Sequence, residues 1–415
     1  MLTEALVGSE RAMTFEVTIA KCDSYELDKV KAGVTASLEP IGGFRNFVKE
    51  GDRVLVKLNL SMAKPPDRAI TTHPAVARAV IESIQALGAT AVVGDAPGGG
   101  CSAATYRGLL KTTGIQRVID ETGCESVRFD DDKVQVVSER ARTFKKLWIA
   151  EAVTEADVIV GVPKLKTHLL TYYTGAVKLL YGYIPGMTKA EYHLHTARDI
   201  TLFAELLVDL YETYPPAVTV MDAVVGMEGE GPSNGTPRSI GLIMASTSCT
   251  ALDYVATTLA HFRPLSVPTI RVAHERGVGP GDLHDVSILG EALEPLVMKD
   301  FKKPTTASSW WLQEGTFATK TGRLWMSTKP RVDASICRQC GDCANACPPK
   351  AMEFTKGFAP RIDYRQCIRC YCCTELCPQG AVSVSTPILR RIIQERLGFE
   401  RIESFLLDVM QKKVN

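Results

Sequence analysis

The stretch VIVGVPKLKTH, residues 158–168, decides the fold. Asp157 to Val162 (DVIVGV) read as a strand apolar on both faces. A central parallel strand reads this way when helices cover both sides of its sheet. Pro163 ends the run, and Lys164, Lys166 and His168 follow at i, i+2 and i+4. With extended geometry past the proline, the three side chains share one side.

Such a strand needs parallel neighbours and crossover helices, and both are legible on either side of it. Phe15, Val17 and Ile19 alternate with polar residues, as in a half-buried strand. Leu27, Val30, Val34 and Leu38 lie at helical spacing. RVLVKL (53–58) and TAVVG (90–94) are β-branched runs. Between them, Pro74 opens a helix carrying Val76, Val80, Ile84 and Leu87, stopped by Gly88. A long helix is expected over about 197–214, ending before Pro215–Pro216. Strands follow at 218–221 and 240–244, and a helix at 248 to about 260. Residues 14–295 therefore read as an α/β domain with a largely parallel sheet.

The chain has 415 residues, with 48 Lys plus Arg against 47 Asp plus Glu, a formal net charge of +1. That balance argues against a nucleic-acid binder, which carries a basic excess. A hydrophobic fraction of 45% excludes general disorder. No apolar run is long enough to predict a spanning helix. Residues 1–10 lack the basic flank and apolar run of a secretory signal, so a reducing, cytoplasmic setting is expected.

The 13 cysteines are uneven: four precede residue 330, and nine fall between Cys337 and Cys377. Within 331–385 the chain repeats itself thirty residues on. Cys337, Cys340, Cys343 and Cys347 match Cys367, Cys370, Cys373 and Cys377, and Pro348 matches Pro378. Each unit reads C-x-x-C-x-x-C-x-x-x-C-P, the run of bacterial ferredoxins with two 4Fe–4S clusters. The three closely spaced thiolates of one run converge on one cubane, and the fourth points to the other. Cluster one is therefore assigned Cys337, Cys340, Cys343 and Cys377, and cluster two Cys347, Cys367, Cys370 and Cys373. Four cysteines alone would also suit zinc; eight in two identical runs favour clusters. Cys372 is left over, as a packing residue.

Residues 296–330, with Trp310, Trp311 and Trp325, read as a linker. The tail 386–415 reads as helical, with Ile388, Leu389, Ile392 and Ile393 on one face for docking on the body or on a partner.

Ligands of open parallel sheets bind beyond the carboxyl ends of the strands. The polar residues expected there are Lys57, Asn59, Asp95, Lys164, Lys166, His168, Asp222 and Glu228. Two ammonium groups and an imidazole on one side suit a phosphate or carboxylate; the alternative is a solvated strand end. Lys178 extends the cluster if it faces the same way. Asp95 and Asp222 read equally as acid–base groups or as acceptors for helix-start N–H groups. Gly98–Gly100 and the loop from Gly226 to Gly235 permit close backbone approach to a ligand, but neither matches a nucleotide-binding pattern. His193 and His195 read as loop residues or as proton-transfer groups, and His73 as part of a helix start.

Four segments carry a family resemblance: VLVKLNLS (54–61), TTHPAVARAVIESIQALGATAVVGDAPGG (71–99), GVPKLKTHLLTYYTGAVKLLYGYIPG (161–186) and DAVVGMEGEGPSNGTPRSIGLIMAS (222–246). They resemble the family catalogued as domain of unknown function 362, over roughly residues 50–260. Members are often fused to a C-terminal two-cluster ferredoxin module. The fusion implies an iron–sulfur redox role in anaerobic metabolism.

The expected function is an oxidoreductase relaying low-potential electrons through the clusters to an anionic substrate or cofactor in the α/β domain. In that reading His168, Asp95 and Asp222 handle protons. Lys57, Asn59, Lys164, Lys166 and Glu228 bind the substrate, and a redox partner protein or small donor supplies electrons. The alternative is a non-enzymatic carrier or adaptor that docks on a larger redox complex.

Overall fold

Val158–Val162 lies inside a ten-stranded sheet in the computed structural model, which describes residues 14–98, 100–196, 199–306 and 328–388. In chain order the strands are β1 (Phe15–Lys21), β2 (Arg53–Leu58), β3 (Thr90–Asp95) and β4 (Glu125–Arg128). A separate hairpin of β5 (Lys133–Val137) and β6 (Lys146–Ala150) intervenes. Then come β7 (Val158–Val162), β8 (Lys164–His168), β9 (Tyr172–Thr174), β10 (Val218–Glu228), β11 (Thr236–Ser246) and β12 (Val286–Gly290). The order across the sheet is β12-β1-β11-β10-β7-β2-β3-β4, with β8 beside β10 and β9 beside β8. The run β10-β7-β2-β3-β4 is parallel throughout. β11 pairs antiparallel with β1 and β10, so the sheet is mostly rather than wholly parallel.

The two-residue period of the strands divides the core between the faces. Val54, Val56, Val160 and Val220 pack with Val30, Val34, Val76, Val80 and Ile84 of helices Leu27–Leu38 and Pro74–Gln85. Leu55, Ile159 and Met221 turn the other way, onto Phe203, Leu207, Leu252 and Val255 of helices Ile200–Thr213 and Cys249–Leu259. A polar substitution at any of these strand positions would bury an unpaired group.

Several elements differ from their expected bounds for identifiable reasons. The long helix begins at Ile200 because the Asp199 carboxylate accepts from the N–H groups of Thr201 and Leu202. Helix Pro74–Gln85 is capped by His73, whose Nδ1 accepts from Ala75 N–H at 3.2 Å. β10 and β11 each run 11 residues, well past the expected ends. Asp222 therefore sits in mid-strand rather than at a strand end. A buried partner, Lys164, satisfies its charge, so the strand continues through it.

The cysteine module is pseudo-symmetric. Strands β13 (Lys329–Val332) and β16 (Val382–Ser385) pair, as do β14 (Met352–Glu353) and β15 (Arg361–Ile362). The repeat extends to single bonds: Asp333 N–H donates to Ala381 O at 2.7 Å, and Asp363 N–H to Ala351 O at 2.8 Å. Gly341 and Tyr371 occupy equivalent left-handed positions, with φ of 79° and 61°. The strained one is Tyr371, and its hydroxyl is held at 2.6 Å from Thr328 Oγ1. Residues 307–327, with the three tryptophans of the expected linker, lie outside the described residues, as does the expected tail helix from Leu389 onward. Among the described residues, no helix is long and apolar enough to cross a membrane.

Candidate functional site

A cavity partly open to solvent lies where the carboxyl ends of β2 and β3 and residues Lys166 and His168 of β8 meet the cysteine module. The sheet side contributes Lys57, Asn59, Asp95, Lys166 and His168. The module contributes Pro348, Cys372, Glu375 and Leu376. Helical segments Ala176–Leu179 and Thr188–Thr196 add Lys178, Lys189 and His193.

The module is held against the sheet domain by specific contacts. His168 Nε2 lies 3.2 Å from Glu375 Oε1. Lys64 Nζ donates to Pro378 O at 2.5 Å, and Asn234 Nδ2 to Val382 O at 3.3 Å. Gly98 explains part of the glycine-rich turn after β3. A Cβ there would lie 2.7 Å from Leu376 Cδ2, so the missing side chain admits the module. Gly182 is required for a similar reason, since a Cβ there would collide with Lys57 Nζ and Asp95 Oδ1.

Each expected site residue has a definite place. Lys57 Nζ donates to Asp95 Oδ1 at 2.7 Å and to Leu58 O at 2.8 Å. Asp95 Oδ2 also accepts from Leu60 N–H at 2.6 Å. This buried pair forms the floor of the cavity, with each charge satisfied by the other. Lys166 is 1% exposed and donates to Ile70 O at 2.6 Å, with Ser61 Oγ and Asn59 Oδ1 at 3.3 and 3.4 Å. Burial lowers its pKa to about 7, against the opposing pull of Glu375.

The structure separates Lys164 from Lys166 and His168. β8 pairs with β10 through Asp222↔Lys164 and then Met227↔Lys166, so β10 bulges between the partners of the two lysines. Lys164 and Asp222 form a fully buried ion pair at 2.9 Å that does not line the cavity. Asp222 also accepts from Tyr25 Oη–H and His73 N–H, both at 2.9 Å. Burial lowers the His73 pKa to about 4, and its ring stacks on Tyr25 at 3.5 Å. Glu228 lies away from the cavity too, accepting from Lys302 N–H at 3.1 Å. Lys164, Asp222 and Glu228 thus brace the strands, where the sequence reading gave them ligand or proton roles.

His168 is in the cavity wall, but its nitrogens are committed. Nδ1 accepts from Leu170 N–H at 3.0 Å and Thr171 N–H at 3.4 Å. This network assigns the ring proton to Nε2, which faces Glu375. No lone pair remains to accept a substrate proton, so His168 orients Glu375 and is not the expected acid–base group. Burial and the nearby Lys178 and Lys166 hold its pKa well below the usual value.

His193 is the second histidine of the wall. It lines the cavity, stacks on Phe203 at 4.8 Å and meets the Tyr181 edge at 5.3 Å. Burial and the Lys178 and Lys189 charges lower its pKa to about 3, so it is a neutral imidazole. His195, two residues on, is exposed. The pairing of His193 with Phe203 joins separate helices, so adjacent sequence gave no strong signal for it.

Two smaller cavities lie within the cysteine module. One is lined by Cys337, Cys340, Cys343 and Cys377; the other by Cys347, Cys367, Cys370 and Cys373. Each set joins three cysteines of one repeat to the last cysteine of the other. Burial pushes the Cys343 thiol up to about 11, helped by Cys377, Cys340 and Cys337, and the Cys347 thiol is raised by burial with Cys370 and Cys367 nearby. Crowded thiols of this kind ionise together when bound iron supplies the compensating charge. Ala351 N–H donates to Cys347 Sγ at 3.3 Å and Ala381 N–H to Cys377 Sγ at 3.2 Å, bonds of the sort that raise cluster potentials. Among the described residues no three His, Cys, Asp or Glu side chains converge on a single-ion site. Cys372 belongs to neither set and faces the large cavity.

Comparison with known proteins agrees with both halves. The family described as Domain of unknown function (DUF362) matches residues 54–258, and the 4Fe-4S dicluster domain matches 336–381. The chain is 34% identical over 268 residues to the Thylakoid-associated protein sll1697 of Synechocystis sp. (strain ATCC 27184 / PCC 6803 / Kazusa), covering 65% of this chain and 81% of that protein. Among solved structures, the lactate racemase apoprotein from Thermoanaerobacterium thermosaccharolyticum aligns with a TM-score of 0.34 and 12% identity. That match spans 55% of this chain and 54% of that one, too distant to bear on the reading.

Proposed function

This chain belongs to the domain of unknown function 362 family, joined here to an iron–sulfur electron-transfer module, and from that premise we propose that it is an oxidoreductase acting on an anionic ligand in the interdomain cavity. We assign two 4Fe–4S clusters to the two cysteine-lined cavities, and a reducing, oxygen-poor cytoplasm as the setting. The observation that carries the reading is the position of helix Cys372–Glu375. Cys373 on this helix, with Cys370 just before it, lines the second cysteine cavity; Cys372 and Glu375 line the large one. One short helix therefore separates the second cluster position from a ligand.

The clusters, when bound, supply one-electron transfer. The chain's own residues do the rest. Lys166, Lys178 and Lys189 hold the anion, and Lys57 with Asp95 shapes the floor. Neutral His193 lines the wall without adding charge. The docked module excludes water from the side facing Cys372, which strengthens each charge interaction.

The test uses protein purified and reduced without oxygen, then mixed with the anionic small-molecule fraction of its source cells. Reoxidation with a newly bound or converted small molecule is expected. A Lys178→Met protein with intact cluster absorption is expected to stay reduced. Equal reoxidation of both would remove the cavity from the function and make the chain a carrier or adaptor.

A further inference from the structure

The charged groups of the cavity wall do not balance. Lys57 and Asp95 satisfy each other at 2.7 Å. Lys166 is bonded to neutral oxygens of Ile70, Ser61 and Asn59. Lys189 Nζ is bonded to the carbonyl oxygens of Ala96 and Pro97. Lys178 Nζ has no oxygen partner among the described residues; it lies over the rings of Tyr181 and Phe203, 4.6 and 5.7 Å from their centroids. Against these three lysines the described wall offers one carboxylate outside the Lys57–Asp95 pair, Glu375, whose partner is the neutral His168 ring. Asp130 lies behind the wall at Gly186, shared between Lys189 and Arg128.

Both histidines of the wall are neutral, so they neither add to nor offset this excess. Lysine is a point charge with rotatable donors. It therefore selects for charge and leaves the ligand's oxygen geometry open. Apolar side chains, Met62, Leu179, Met187 and Leu376, complete the wall, so the charged end of a ligand and its carbon body meet different parts of it.

We propose that the cavity binds a doubly charged oxyanion, a phosphate-type monoester or a dicarboxylate, through Lys166, Lys178 and Lys189. This deepens the anionic-ligand reading given above and rests on it. Lys178 is the centre of the site, because its ammonium has the aromatic faces of Tyr181 and Phe203 but no acceptor of its own. Lys166 and Lys189 each keep the carbonyl bonds that orient them toward the ligand.

Calorimetric titration of the cluster-loaded protein with sulfate, inorganic phosphate, succinate, nitrate and acetate tests this. Saturable binding of at least one dianion, ten-fold or more tighter than nitrate or acetate, is expected. Preference for sulfate and phosphate assigns a tetrahedral group, and preference for succinate a dicarboxylate. Lys178→Met and Lys189→Met are each expected to weaken the preferred dianion ten-fold or more, with Lys178→Arg restoring part of the loss. Equal affinity for monoanions, or the absence of saturable dianion binding to the unaltered protein, overturns the proposal without need of a variant. So does a Lys178→Met protein that binds the dianion normally while its cluster potential shifts, since the lysine would then balance the cluster alone. Dianion binding in a protein whose clusters never exchange electrons with a cavity ligand would leave this inference standing and remove the oxidoreductase reading.

Discussion

Nε2 of His168 stands 3.2 Å from Oε1 of Glu375, joining β8 of the sheet domain to the cysteine module. The ring cannot turn away without breaking the bonds its Nδ1 accepts from Leu170 and Thr171. His168→Ala removes both the donor and the brace and leaves Glu375 without its partner. A loss of about 1–3 kcal/mol is expected in the denaturation transition followed at the cluster absorption band. His168→Gln, whose amide can both accept and donate, should recover most of it. An unchanged transition in the alanine variant would mean that the contact contributes nothing to docking.

The interleaved thiols make a sharper prediction. Cys340→Ser and Cys377→Ser lie far apart in sequence but share a cavity, so both should remove the same cluster signal by electron paramagnetic resonance. Cys347→Ser and Cys370→Ser should remove the other. Cys372→Ser should keep the full iron content, because Cys372 lines the large cavity and neither cysteine-lined one. Pairing of Cys347 with Cys340 in such data would refute the ligand assignment.

Lys164 and Asp222 are both fully buried, so either alone is an uncompensated charge in the interior. Asp222→Ala should cost about 3–5 kcal/mol in chemical denaturation. The double replacement Lys164→Met with Asp222→Leu should cost markedly less than the single one. If the single variant keeps wild-type stability yet loses ligand binding, Asp222 acts in the cavity after all.

Dianion affinity should depend on pH with a definite sign. Burial lowers Lys166 to about 7, with Glu375 and Asp95 opposing and Lys178 and Lys164 adding to the shift. It lowers Lys189 to about 8, with Asp95 and Asp130 opposing and Lys57 and Lys178 adding to it. A bound dianion raises both, so binding takes up protons. Sulfate affinity should be full below about pH 7 and fall as pH rises through 7–8 and beyond. Sulfate itself does not titrate there, so a flat profile would mean that neither lysine contacts it.

Much of this was legible in the chain because the signals were local. The both-face apolar run at Val158–Val162 located a sheet interior, and the thirty-residue repeat foretold which thiols share a cavity. Lys164 was misplaced because its buried partner Asp222 lies 58 residues on, and the bulge between Asp222 and Met227 that seats the pair is invisible in sequence. The Lys178, Lys189 and His193 side of the cavity was undervalued because it comes from short helical segments that meet β8 only in the folded chain. Cys372 looked superfluous beside Cys373 because its role depends on which way one turn of helix faces.

The central claim is that the cluster held by Cys347, Cys367, Cys370 and Cys373 adjoins whatever binds among Lys166, Lys178 and Lys189. Electron–nuclear double resonance on the reduced protein with bound inorganic phosphate tests it directly through the phosphorus nucleus. A phosphorus coupling is predicted in the unaltered protein and in Cys340→Ser, which retains this cluster, and it should vanish in Lys178→Met. A coupling absent from the phosphate-saturated protein, or one that disappears in Cys340→Ser while the second cluster's signal remains, would contradict the account.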